Sequence, residues 1–588
     1  MKIIEEAIRQ AQNKLELPEV DFVVEHPKDE GHGDYSCNVA MVLAKKLGKN
    51  PREVAGAIMA QCHSATELMA VVEKIEVAGA GFINFYLKTE CLVANVAEIN
   101  KLRAEYGRNK ALVGRKVMVE YTDPNPFKEF HIGHLMSNTI GEAIARLKTV
   151  EGAEVRRANY QGDVGLHVAK SIWGMQQKLA TEKLNLEEMK DWELTKRQKW
   201  MGAAYAYGAT KYEEDPTSSS TTLGARAEIN ALNKIIYDGS DPKIVELYQL
   251  GRAWSLEYFE TIYARLGTRF DDYFFESESG KVGLRVVEEG LAKGVLEVGD
   301  EGAVVYKGEK DGLHTRVFRN KLGLPTYEAK DLGLAVAKYG RYPYDQSVVV
   351  TANEITEYFR VVLRVMEQLY PDLRAKTVHK PHGIMKLASG KMSSRTGKVV
   401  SGEGLLNELK DVVLSKMGER TVADKEIVAD QIAVASLKYT VLKQAVGGDI
   451  VYEPEKMTNM EGDTGPYLQY AYARIQSILR KAKDQPTAEA GQQVSKLDNM
   501  LEPEEIAVMR WLYRYPEVVA SAAENFAPHM ICSYLNELSS RFNSFYAKCR
   551  IADAPIANRA FRLALSTAVA QVLRNGLWIL GIEAPEEM

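Results

Sequence analysis

Apolar and polar positions alternate with helical period over Met1–Leu15, again in "SCNVAMVLAKKLGKN", and again after Pro51. At "KIEVAGAGFINFYL" the period shortens to that of strands around glycines, so residues 1–108 predict one small α/β domain. A polar passage then leads to "VMVEY" (Val117–Tyr121), an apolar run of strand length. A Pro/Asn loop follows, then helical period from Ile132 to Leu147, then "AEVRRANY" closed by "QGDVG". Strand, loop, helix and strand at this spacing predict a β-α-β unit of a parallel sheet. Residues 176–265 predict helices broken by "DPTSSSTT", an insertion between strands. Residues 280–320 predict short strands with Gly-Asp turns, and "QSVVV" with the loop around Lys391 resumes the sheet. From about residue 403 the pattern is helical nearly to the end. The expected architecture is multidomain α/β: residues 1–108, a parallel-sheet domain over 109–402 with its insertion, and an all-α bundle over 403–588.

Composition changes this picture little. The 588 residues, 46% hydrophobic and 26% charged, suit a globular protein of several domains. No stretch approaches the ~18 uninterrupted apolar residues of a membrane span. The N-terminal helix carries acids, unlike a secretory or transit peptide, which predicts a cytoplasmic protein with no membrane partner. Cys37, Cys62, Cys91, Cys532 and Cys549 form no CxxC pair, so neither a zinc site nor a disulfide framework is signalled, and no residue is nominated as a metal ligand. A net charge of −5 excludes a uniformly basic coat, so any polyanion must be bound regionally.

Chemistry enters at "EFHIGHL", which holds two of only 10 histidines where the predicted strand and loop feed a helix. Open α/β sheets bind ligands at such strand ends. Residues three apart share a helix face, so His131 and His134 could meet one phosphate beside helix N-terminal N–H groups. Gly133 would let a flat ring such as adenine lie against the backbone. Taken alone, such a motif is as readily a pair of surface or core histidines. "GKMSSRTGK" (Gly390–Lys398) adds Lys391, Arg395 and Lys398 among small hydroxyl residues, either a solvated loop or a cationic one that closes over phosphates.

The two stretches in this order resemble the HIGH and KMSKS signatures of class I aminoacyl-tRNA synthetases, and with them a Rossmann-type catalytic domain. "VEYTDPNPFKEFHIGHL", "NYQGD", "PTYEAKD", "MSSRTGK", "GPYLQYAYARIQSILRKA" and the closing "GLWILGIEAPEEM" resemble the arginyl-tRNA synthetase family across nearly the whole chain. That resemblance implies arginine–tRNA ligation through arginyl-adenylate, with L-arginine, ATP and Mg²⁺ as reactants and tRNA(Arg) as partner. Activation before tRNA binds is expected to be slow, and a monomer is expected. It implies His131, His134 and Lys391 as catalytic, with Lys128, Gly133, Ser393, Arg395 and Lys398 on ATP. Glu120, Asn125, Tyr327 and Asp331 fall at amino-acid-contacting positions. A guanidinium's five fixed donors call for such carboxylates, and Tyr327 and Asp331, four apart, share a helix face.

Departures from the family pattern are specific. Ile355 stands at a usual glutamine and Tyr358 at a usual histidine, with Glu354 or Glu357 as candidate substitutes for the lost contact. Glu129 replaces a proline, Met136 an arginine, and Ser394 the second lysine of KMSKS, for which Lys386, Arg395 or Lys398 could compensate. In "YLQYAYARIQSILRKAK" the pattern alone favours core packing with charges on the wet face, and it is the resemblance that tips Tyr467, Arg474 and Arg480 toward stacked anticodon bases. "HPKDEGHGDYSCNVAM" resembles the family's extra domain that contacts the tRNA elbow, or simply folds the N-terminal domain. A catalytically impaired tRNA-binding relative and a nucleotidylyltransferase using HxGH alone are the rival functions.

Overall fold

The computed structural model describes residues 1–214, 224–387, 401–418, 424–483 and 501–588. Its central sheet has five strands: β1 (Lys116–Glu120), β2 (Glu154–Gln161), β3 (Asp272–Phe275), β4 (Gln346–Ala352) and β5 (Thr377–His382). They lie in the order β5-β4-β1-β2-β3, and every neighbouring pair is parallel. Both faces of a parallel sheet are covered, which is why β1 buries four consecutive residues, Val117 to Glu120. The chain leaves β1 toward β2 on one side and later returns as β4 on the other. The strand order therefore reverses at β1, and the crevice beyond the carboxyl ends of β1 and β4 is the expected ligand site.

Helix α1 (Ile132–Val150) follows β1, α2 (Glu276–Ala292) follows β3, α3 (Tyr327–Arg341) precedes β4, and α4 (Thr356–Leu369) follows it. The short strands expected over residues 280–320 are only partly there. Residues 276–292 form α2 instead, and strands occupy Glu297–Val298, Val304–Tyr306 and Arg316–Arg319. Glycines within these helices serve their packing. A Cβ on Gly283 would sit 2.1 Å from the Ala329 carbonyl oxygen, and one on Gly333 2.1 Å from that of Ser279. This backbone-to-backbone approach of α2 and α3 puts Glu276 beside Lys330.

Between β2 and β3 the helices Leu166–Glu182, Leu194–Glu214, Ala225–Asp238 and Pro242–Arg265 bury Trp173, Met201, Ile229 and Trp254 in a core of their own. That core includes Phe127, from the loop after β1. The N-terminal domain is a four-stranded antiparallel sheet with flanking helices. After residue 401 helices dominate, from Gly402–Met417 to Ile556–Ile579, but Ile450–Tyr452 pairs in parallel with Met385–Leu387. No described helix is long and apolar enough to cross a membrane.

Candidate active site

The backbone after β1 is unusual: Thr122, Asp123 and Phe127 all have positive φ (79°, 48° and 69°), a region non-glycine residues adopt at a cost. Each turn is held in place. Thr122 N–H donates to Ser137 Oγ on α1 at 2.9 Å, Asp123 Oδ1 accepts the Tyr160 N–H at 2.8 Å, and Phe127 N–H donates to Ser255 Oγ at 3.0 Å. Ser255 belongs to the last insertion helix, where Gly251 leaves the Phe127 ring its space: a Cβ there would be 2.4 Å from it. The insertion thus anchors the loop that feeds α1.

His131 and His134 do not stand side by side on a helix face. His131 is the N-cap of α1 and His134 lies in its first turn, and their rings stack with centroids 3.7 Å apart. His131 Nδ1 accepts the Gly133 N–H at 3.2 Å, and His134 Nδ1 accepts the His131 N–H at 3.1 Å. A neutral imidazole that accepts at Nδ1 carries its proton on Nε2, so both rings present Nε2–H donors. Burial, helped by Lys128, pushes His131 down to about 4, and burial beside His131 pushes His134 well below its ordinary value. Both are neutral donors at physiological pH. Gly133 is required by this arrangement, since a Cβ would meet the His131 ring at 3.0 Å. Lys128 lies over the Tyr205 ring at 5.5 Å, with burial lowering its ammonium.

Lys391, Ser393, Arg395 and Lys398 lie outside the described residues. The described chain resumes beside the histidines: Ser401 pairs with His131, and Gly402 N–H donates to the Phe130 carbonyl at 2.6 Å. Lys386 is ion-paired with Asp449 at 2.6 Å.

The crevice holds a cup of carboxylates, Glu120 and Glu276 buried, Asp123 and Asp331 half-buried. Glu120, at the end of β1, is paired with Lys338 of α3, which also donates to Ser347 Oγ at 3.2 Å. Burial opposes the Lys338 charge, yet Glu120 beside it holds the ammonium above its ordinary value. Glu276 pairs with Lys330 at 2.6 Å. Asp331, one helical turn beyond Tyr327 as expected, has a different partner: its Oδ2 accepts the hydroxyl of Tyr358. Burial, with Glu120 and Glu276 adding to it against that hydrogen bond, pushes the Asp331 carboxyl up to about 8. Asp123 is raised well above the carboxylate range, by burial and then by Glu120. Neither aspartate has an ion-pair partner among the described residues. Asn125 faces Gly162 of "NYQGD", where a Cβ would lie 2.1 Å from its Oδ1. Tyr327 is 59% exposed at the mouth, with Lys330 5.2 Å from its ring centroid.

From the same segment, Tyr358 reaches the cup through its hydrogen bond to Asp331. Glu357 is spent on Arg360 at 3.0 Å on the surface. Lys338, Asp123, Glu276 and Lys330 do not stand out in the sequence, and Tyr358 stands out only as a departure, because a single charged or aromatic residue does not disclose its partner. The separations 120–338 and 331–358 become contacts only once strand order is known.

On the bundle, Tyr467 accepts from Asn543 Nδ2 at 2.9 Å. Arg474 donates to Asn543 Oδ1 and to Tyr470 Oη, both at 2.9 Å. Arg480 is drawn to Glu587 at 3.2 Å, and Tyr472 is buried in the core. Tyr546, exposed beside Arg474, completes an aromatic-cationic patch. The polar residues of "HPKDEGHGDYS" meet the bundle: His26 Nε2 lies 2.9 Å from Glu517, Asp34 3.1 Å from Arg510, and Glu30 2.5 Å from Arg541.

A parallel sheet whose switch point carries a histidine-capped helix and a strained loop is the fold and site of a class I aminoacyl-tRNA synthetase. The model for the catalytic domain of class I (R) tRNA synthetases matches residues 96–453, that for the arginyl tRNA synthetase N terminal domain residues 2–87, and that for the DALR anticodon binding domain residues 468–588. The arginine–tRNA ligase of Fusobacterium nucleatum is 32% identical over 97% of this chain and 96% of its own. That of Bdellovibrio bacteriovorus is 32% identical over 100% and 98%. The solved arginyl-tRNA synthetase of Thermus thermophilus is 26% identical with a TM-score of 0.77, covering 100% of both chains. The chain belongs to the arginyl-tRNA synthetase family. It is an ATP-dependent arginine–tRNA ligase, whose partners are arginine, ATP and tRNA.

Proposed function

We propose that the cup and the paired histidines divide the two small substrates between them. Asp331, with Glu120, Asn125 and Tyr327 around it, takes the guanidinium of L-arginine. The observation that carries this is charge accounting: Glu120 and Glu276 each have a lysine, whereas half-buried Asp331 has a neutral hydroxyl for its partner. Burying a carboxylate without a counter-ion is costly, and a substrate cation supplies the missing charge. The His131 and His134 Nε2–H groups, with Lys128, Gly133 and the N–H groups of α1, take the phosphates of ATP. Lys391, Ser393, Arg395 and Lys398 add cations and donors from the segment that ends beside His131.

The arginine carboxylate attacks the α-phosphorus, the bond to pyrophosphate breaks, and arginyl-adenylate forms. A ribose hydroxyl at the tRNA 3′ end then attacks the acyl carbon, and AMP leaves. Neutral N–H donors already oriented toward the developing negative charge need no reorganisation as it grows, which is their catalytic value. Among the described residues no group of three or more His, Cys, Asp or Glu side chains is placed to hold a metal. Mg²⁺ belongs to this reading only as the counter-ion that ATP carries. Tyr467 and Arg474, with Tyr546, take anticodon bases; Arg480 contacts the backbone after parting from Glu587. The protein acts in the cytoplasm as a monomer, in three parts divided near residues 108 and 402.

Charging of tRNA with arginine, lysine and glutamine in parallel tests the reading. Arginine alone should be transferred, and His134→Ala should lower kcat by about 10²–10³, as loss of one oriented donor does elsewhere. Lysine transferred as well as arginine would defeat the cup assignment.

A further inference from the structure

We propose that Tyr358 is a positioning residue for arginine recognition, its hydroxyl fixing the Asp331 carboxylate in the orientation that receives a guanidinium edge-on. The proposal rests on the reading that Asp331 holds the substrate cation.

Asp331 lies in the second turn of α3 and Tyr358 in the first turn of α4, helices that share a core through Leu332, Ala335, Val361 and Val362. The Tyr358 ring packs against that core, so its hydroxyl has one place to go: Asp331 Oδ2. Rotation of an aspartate carboxylate about its last bond is soft, and a lone carboxylate would sample a broad range of planes. A hydrogen bond from an anchored ring removes that freedom before substrate arrives, so less ordering is left for binding.

The chemical nature of the donor matters as much as its position. Lys338 and Lys330 cancel the charges of Glu120 and Glu276. A hydroxyl orients Asp331 without supplying a counter-charge, so it is the ligand's cation that draws out the anion. Ile355, which opens this turn, is 39% exposed and offers no hydrogen bond, so the polar contribution of the segment moves to Tyr358. A fixed carboxylate matches the two parallel N–H groups of a guanidinium, whereas an ammonium approaches from any direction. The hydroxyl therefore favours arginine over lysine as well as tightening arginine.

Several groups face Asp331: Glu120 and Asp123 from β1 and its loop, Tyr160 from β2, Glu276 from α2, Glu328 of its own helix and Tyr358 from α4. Burial, Glu120, Glu276 and Glu328 disfavour its ionised form, and the hydrogen bond from Tyr358 favours it. Removing the hydroxyl therefore moves ionisation of Asp331 to higher pH.

The test compares Tyr358→Phe, Tyr358→His and Asp331→Asn in the full chain with tRNA. Initial charging rates are measured against arginine concentration from pH 6.5 to 9, with thermal melting and lysine activation alongside. Tyr358→Phe should raise KM for arginine about tenfold with kcat within about twofold, the size expected for one charge-assisted hydrogen bond. The rising limb of kcat/KM should shift to higher pH, and lysine should be rejected less well. Tyr358→His, which keeps a ring N–H donor, should recover most of the loss. A wild-type KM and an unmoved pH limb in Tyr358→Phe, beside a defective Asp331→Asn, overturns the inference alone. A wild-type KM in Asp331→Asn overturns the reading of the cup. Should Tyr358→Phe fail to fold, Tyr358→His decides: KM within about threefold of wild type supports the inference, and a tenfold rise defeats it.

Discussion

Two carboxylates in the same domain meet opposite fates. Glu142, on α1, is 3% exposed and accepts Arg146 Nε at 2.7 Å, Arg157 Nε at 2.9 Å and the Tyr121 hydroxyl at 2.5 Å. Burial raises its carboxyl, but the two guanidinium groups overcome this and hold it below the usual range. Asp331, half-buried, has a tyrosine hydroxyl and acidic neighbours, and desolvation takes it up to about 8. Desolvation is common to both, so the difference lies in the counter-ions. The fold completes its own charges where α1 must be fastened to β1 and β2, and leaves one incomplete where a substrate will complete it.

Removing each carboxylate should separate these roles. Asp331→Asn should cost about 4 kcal/mol in kcat/KM for arginine, close to 10³-fold, because a buried charge partner of the guanidinium is lost. Its melting temperature should not fall. Between about 4, the unfolded value, and about 8, the folded protein keeps a proton that the unfolded chain has released, so Asp331 costs stability as pH rises, and asparagine removes that cost. Glu142→Gln should do the reverse. It strands Arg146 and Arg157 and should lower stability by about 3 kcal/mol in urea unfolding, with KM for arginine unchanged. Equal effects of both substitutions on KM would erase the distinction.

How much of this was legible beforehand follows from range along the chain. β1, α1 and β2 stood out because apolar period and motif are local, and the strand-end position of His131 and His134 followed from them. The stacking of the two rings did not, because it depends on N-cap geometry that spacing alone cannot supply. Residues 280–320 read as strands and turns throughout, whereas their first part continues the helix α2, in which Gly280 and Gly283 admit α3. Glu120 and Asp331 were found through resemblance; Lys338, which neutralises one, and Tyr358, which orients the other, come from elements whose adjacency is set by sheet order. Tyr472, in the same segment as Tyr467 and Arg474, is core, which residue type alone does not tell apart from a stacking surface.

A smaller effect comes from pH. With Asp331 near 8 in the free protein, arginine binding at pH 7 must displace a proton. Affinity should rise toward tenfold per unit, about 1.4 kcal/mol, and level off above pH 8. Calorimetry at pH 7 in buffers of different ionisation enthalpy should show release approaching one proton. A pH-independent affinity with no proton release would mean that Asp331 is already ionised, and the contrast with Glu142 would shrink to geometry.

The smallest effect sharpens the contrast most, because the two sites share one interaction. Tyr121 donates to Glu142 as Tyr358 donates to Asp331. Tyr121→Phe keeps the ring that Gly141 accommodates and leaves Glu142 both arginines, so the carboxylate stays ionised and satisfied. The loss should be about 1 kcal/mol of stability, the net worth of one hydrogen bond, with KM for arginine and its pH profile unchanged. One hydroxyl-to-carboxylate bond is thus structural where the charge is already balanced and bears on recognition where it is not. If Tyr121→Phe moved KM for arginine as far as Tyr358→Phe, the two clusters would be one coupled network, and charge completeness would no longer mark which of them meets substrate.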